Sequence, residues 1–82
     1  MKKAPARRVV IADVRGRTVY LKPVDNGSGM SLADVRALVT SAALLPHTTP
    51  TSTLIGLSEL PDFEAMCQVA GVVCQRTGSR PR

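Results

Sequence analysis

The stretch RVVIADVRGRTVYLKPV, residues 8 to 24, constrains the fold more than any other, because two runs rich in β-branched residues flank Arg15-Gly16-Arg17. Such runs around a short Gly-containing turn predict a β-hairpin. A two-residue loop at Arg15-Gly16 and a four-residue loop from Val14 to Arg17 give the same pairing: Ala12 faces Val19, Val10 faces Leu21 and Ile11 faces Tyr20. One face then carries Val10, Ala12, Val14, Val19 and Leu21, with Arg17 at its rim, and belongs to the core. The other carries Val9, Ile11, Asp13, Thr18, Tyr20 and Lys22. A half-apolar face of that kind is either covered by another part of the chain or used as a contact surface.

Pro23 ends the second strand, and Asp25-Asn26-Gly27-Ser28-Gly29 reads as a loop. Ser31 with Asp34 has the spacing of a capping box, and Met30 with Val35 that of a hydrophobic staple, so a helix starts here. Its apolar positions are Leu32, Val35, Leu38, Val39, Ala42 and Leu45, with Arg36 and Thr40 on the other side, and Pro46 stops it. Residues 46–53, PHTTPTST, form a polar loop; residues 53–57 predict a short strand. A second helix begins at Leu60-Pro61, with Asp62 and Glu64 beside its N-terminal dipole and Phe63, Met66, Cys67 and Ala70 on one face. Gly71 is placed as a left-handed stop, followed by a strand VVCQR; without that stop the helix runs to about Gln75.

These elements predict a small α+β domain: hairpin, amphipathic helix, short strand, second helix and C-terminal strand, with both helices on one face of the sheet. The strand, helix and strand of residues 53–77 read as a βαβ crossover, for which the helix is short. The domain spans residues 8–77, preceded by a flexible basic arm (1–7) and followed by a basic tail (78–82). A chain of 82 residues buries a limited share of its surface, so its stability is marginal and self-association would add to it. With one Tyr, one Phe and no Trp, the core must be aliphatic, and stacking on nucleic-acid bases has little to work with.

The net charge of +5 is uneven. Lys2, Lys3, Arg7 and Arg8 crowd one end and Arg76, Arg80 and Arg82 the other. Between them Arg15, Arg17, Lys22 and Arg36 face Asp13, Asp25, Asp34, Glu59, Asp62 and Glu64, so the body is mildly acidic. Basic ends attract polyanions, whether nucleic acid or an acidic protein, and also keep a small protein soluble. No run is long enough to span a bilayer, the N-terminus has no signal-peptide apolar block, and two cysteines are no secreted disulfide framework; a cytoplasmic location is expected.

Catalytic and ligand signatures are weak. The glycine loop before Ser31 lacks both the Lys-Ser/Thr pair of a phosphate loop and the GxGxxG spacing. Cys67 and Cys74 with His47, the only histidine, do not make a zinc set, and both cysteines read as small hydrophobes. A Cys67–His47 dyad has only residue type in its favour. The connection from Pro46 to about Ser58 is too long for a helix-turn-helix, and residues 60–70 hold no Lys or Arg to grip phosphate. The expectation is therefore a non-catalytic module without cofactor or metal. It self-associates, as a homodimer, through Val9, Ile11 and Tyr20, and contacts an acidic protein partner through Lys2, Lys3, Arg7, Arg8, Arg15, Arg17, Lys22, Arg76, Arg80 and Arg82. The alternative is a nucleic-acid-binding accessory protein using the same basic residues around the Arg15-Gly16-Arg17 tip.

Overall fold

A computed structural model describes residues 7–24, 27 and 29–78. Residues 1–6 and 79–82, which hold most of the expected arm and tail, lie outside these, as do Asp25, Asn26 and Ser28 of the glycine loop. The chain forms β1 (Val9–Arg15), β2 (Thr18–Pro23), α1 (Leu32–Ser41), β3 (His47–Thr48), β4 (Thr53–Gly56), a short 3-10 turn (Leu57–Glu59), α2 (Leu60–Ala70) and β5 (Val73–Gly78). The strands make one mixed sheet in the order β3-β4-β2-β1-β5, an α+β architecture in which only β1 and β5 pair in parallel.

The hairpin forms, but with its turn moved. Val14 pairs with Val19, Ala12 with Leu21 and Ile11 with Lys22, so the loop is Gly16-Arg17 and not Arg15-Gly16. Gly16 has φ +63° and Arg17 a negative φ, the pattern of a turn with its glycine at the first central position, whose twist matches the flanking strands. A loop at Arg15-Gly16 would have placed a bulky side chain where a left-handed conformation is needed. The slip is two residues, so every side chain keeps its expected face. Val10, Ala12, Val19 and Leu21 are fully buried beneath the helices with Val35, Val39, Ile55, Leu60, Phe63, Cys67 and Val72.

Both helices start and stop for local reasons. Ser31 Oγ accepts the Asp34 amide at 3.3 Å while Asp34 Oδ2 accepts the Ser31 amide at 2.9 Å, closing the expected capping box. α1 ends at Ser41, earlier than Pro46 requires. The Ala43 amide donates to the Thr40 carbonyl and the Leu44 amide to the Val39 carbonyl, with Ala43 at φ +63°. This is a Schellman stop, and it reverses the chain so that Leu45 is 78% exposed rather than in the core. α2 ends the same way: Gly71 (φ +73°) donates to Gln68 and Val72 to Cys67. One reversal has its glycine and the other does not. Ala43→Gly is expected to add about 1 kcal/mol, or roughly 4–8 °C in Tm, and Gly71→Ala to remove about as much. Thermal unfolding of the two single variants measures both signs.

One further expectation is corrected and one is sharpened. Residues 46–53 are not all loop: His47 pairs with Leu54 and Thr48 with Thr53 around a Pro50-Thr51 turn, where Thr49 Oγ1 accepts the Thr51 and Ser52 amides. The expected βαβ crossover of residues 53–77 forms, with β4 and β5 parallel in one sheet, but two strands lie between them. The crossover through α2 carries the chain past β2 and β1, and β5 pairs with β1 at the far edge.

Candidate functional site

Two places in the described structure combine accessibility with side-chain chemistry. The first is the sheet face that the helices leave uncovered. Alternation along each strand sets its members: Val9, Ile11, Asp13 and Arg15 from β1, Thr18, Tyr20 and Lys22 from β2, Leu54 from β4, and Val73, Gln75 and Thr77 from β5. Register joins them, with Val9 beside Val73 and Tyr20 between Asp13 and Leu54. Val9, Ile11, Tyr20, Leu54 and Val73 are all half-buried in the single chain. The expected trio of Val9, Ile11 and Tyr20 therefore shares one surface. Ile11 faces Lys22 and not Tyr20, so the trio meets diagonally.

Leu54 and Val73 belong to the same surface and were missing from the sequence reading. The alternation Thr53-Leu54-Ile55 marks Leu54 as outward, but only the pairing of β4 with β2 sets it beside Tyr20. A shallow depression of about 200 Å³ lies here, lined by Asp13, Arg15, Tyr20, Lys22 and Thr49 among others. At its rim Arg15 is held: it pairs with Asp13 at 2.9 Å and its guanidinium lies 4.8 Å from the centre of the Tyr20 ring.

The basic residues expected to act together are dispersed. Arg15 is folded onto the open face, while Arg17 is exposed in the turn. Arg7 and Arg8 are exposed before β1, a strand of seven residues that sets them roughly 20 Å from the tip. Lys22 is exposed opposite Ile11. Arg76 stands opposite Ala12, on the helix side, and grips Glu64 of α2 with both ends of its guanidinium, Nε to Oε2 at 2.7 Å and Nη2 to Oε1 at 2.9 Å. Lys2, Lys3, Arg80 and Arg82 lie outside the described residues.

The Arg76 hydrogen bond, with its charge, holds the Glu64 carboxyl below its ordinary value of 4.5 against a smaller opposing effect of burial. A depressed folded value means that the pair stabilises the fold above the unfolded carboxylate pKa and stops doing so as pH falls through the folded one. Wild type is accordingly expected to lose a small extra increment of stability as pH falls below the unfolded carboxylate value of 4.5. Glu64→Gln should not lose that increment, and parallel urea titrations of the two chains give the difference.

The second place lies between α2 and β5, an open groove of about 820 Å³ lined by Arg7, Glu64, Gln68, Val72, Cys74 and neighbouring residues. The Gly71 reversal folds β5 back along α2, so that Cys74 packs against the buried cluster that holds Cys67. Cys67 is buried and Cys74 half-buried; both are free thiols. The neighbouring Cys67 lowers the Cys74 thiol below its ordinary value, assisted by the charge of Arg76 and opposed by burial and Glu64. Cys74 and burial together push the Cys67 thiol up.

His47 is exposed in β3 at one edge of the sheet, whereas Cys67 is buried on α2, which packs against β5 at the other edge, so the Cys67–His47 dyad does not assemble. Among the described residues no group of three His, Cys, Asp or Glu could hold a metal ion, and no helix is long and apolar enough to cross a membrane. In comparisons with known proteins the chain matches no family model, no curated sequence and no solved structure.

Proposed function

We propose that this protein is a small assembly module that pairs with a second copy of itself through the helix-free face of its sheet. The observation that carries the reading is the continuous half-apolar surface of Val9, Ile11, Tyr20, Leu54 and Val73 across four adjacent strands. Four strands spaced about 4.8 Å apart and four to seven residues long present a surface of roughly 20 by 17 Å. Two such faces cover about 700 Å² in plan, the small end of the range of interface sizes, so the pairing is a weak one.

Sheets packing face to face settle about 10 Å apart and within about 30° of parallel, which leaves the helices of both copies outside. The Arg15–Tyr20 stack and the Asp13 pair neutralise much of the rim charge. Pairing brings together two chains of net charge +5, doubling the basic ends that an acidic protein partner would meet.

The dispersal of Arg7, Arg8, Arg15, Arg17 and Arg76 over different edges and faces gives a nucleic-acid backbone no single basic track, so the assembly reading is favoured. Sedimentation equilibrium of the full chain from about 5 μM to 1 mM tests it, the expected association being in the micromolar range. A mass that stays monomeric throughout would overturn it, and salt-sensitive binding to duplex DNA would favour the alternative.

A further inference from the structure

We propose that Cys67 and Cys74 are a peroxide-reactive dithiol, with Cys74 the attacking thiol and Cys67 the thiol that closes an intramolecular disulfide. Three observations converge. The Gly71 reversal, in which the Val72 amide donates to the Cys67 carbonyl, and the parallel pairing of Cys74 with Val10 set both cysteines on the helix side of the sheet in one packed cluster. Cys74 opens into the groove shared by Arg7, Glu64 and Gln68, where a small oxidant enters, whereas Cys67 is 1% exposed behind it. Cys74 and burial raise the Cys67 thiol, whereas Cys67 and Arg76 beside it lower the Cys74 thiol, so the accessible sulfur is the more readily ionised of the two.

The chemistry balances with a hydroperoxide as the oxidant. The Cys74 thiolate attacks the peroxide oxygen, breaking the O–O bond and forming a sulfenic acid with loss of hydroxide. The Cys67 sulfur then displaces hydroxide from the sulfenic sulfur; its own proton and the one Cys74 had released carry both hydroxides away as water. Two thiols are oxidised and one peroxide is reduced to two waters. Closing the bond brings the sulfurs to about 2.05 Å, with the adjustment taken up at the C-terminal turn of α2.

The test is to treat the reduced, folded full chain with hydrogen peroxide and follow intact mass. The expected product is a monomer about 2 Da lighter whose loss maps to the single tryptic peptide spanning residues 37–76, with a Tm about 10 °C higher that dithiothreitol reverses. Cys67→Ala, which keeps the buried site apolar, should stop the reaction at a Cys74 sulfenic acid that dimedone traps. Disulfide-linked dimers, or two free thiols surviving after methionine has been oxidised, would overturn the proposal. Dimedone trapping at Cys67 in Cys74→Ala, with none at Cys74 in Cys67→Ala, would overturn the assigned order.

Discussion

Replacing Phe63 by alanine is expected to leave much of the chain unfolded at 25 °C. Phe63 is the only phenylalanine and is fully buried, held by α2 among Val10, Leu21, Val35 and Leu60 of the same cluster. Truncating a buried phenylalanine costs about 3–5 kcal/mol, the lost transfer free energy adding to the cavity left behind. A domain of this length has roughly 4–12 kcal/mol in total, at about 0.05–0.15 kcal/mol per residue. The cost is thus comparable with the whole stability. The core has no second large ring to fill the gap, because its other members are Val, Leu, Ile, Ala and Cys.

The measurement is guanidinium unfolding followed by far-UV circular dichroism. A slope near 2 kcal/mol/M makes the expected midpoint shift about 2 M. Phe63→Leu, which retains most of the volume, should shift it by less than half as much. A shift below about 0.3 M for Phe63→Ala would mean that the core does not depend on this ring.

The core was legible for a physical reason. Period-two alternation in the hairpin and the 3.6-residue period of the helices survive small errors of boundary, so a turn misplaced by one position still left Val10, Ala12, Val19 and Leu21 inside. Caps were legible too, since Ser31 with Asp34 and Gly71 each satisfy backbone groups within a few residues. The end of α1 was not, because alanine carries no sign that it will adopt φ +63° at position 43, and the apolar period ran on through Leu45. Strand order lay further out of reach. The parallel pairing of β1 with β5 joins residues more than sixty positions apart, and nothing local in either strand announces it.

The site divides along the same line. Val9, Ile11 and Tyr20 could be found from one hairpin. Leu54 and Val73 needed the sheet, and so did the meeting of Cys67 and Cys74 in one cluster. The ten basic residues were grouped by position along the chain. The described ones separate because neighbouring strand positions point to opposite faces and Arg76 is recruited by Glu64.

Ile11→Asp is expected to abolish self-association while leaving the protomer folded. Ile11 sits at the middle of β1 on the helix-free face, opposite Lys22 and beside Gln75, so it contributes nothing to the buried core cluster. An aspartate there costs the single chain little beyond strand propensity, on the order of 1 kcal/mol, and Lys22 offers it a partner across the ladder. In a symmetric dimer the change occurs twice. Each copy loses an apolar contact worth about 1.5–3 kcal/mol and must strip water from a carboxylate. The dissociation constant should therefore rise at least a hundredfold, since about 2.7 kcal/mol already accounts for that factor. At concentrations where wild type sediments as a dimer, the variant should sediment as a monomer with an unchanged circular dichroism spectrum. Val69→Asp is the control, because Val69 is 81% exposed on α2, outside the sheet face. If Val69→Asp dissociates the dimer and Ile11→Asp does not, the copies meet through their helices and the open face of the sheet serves something else.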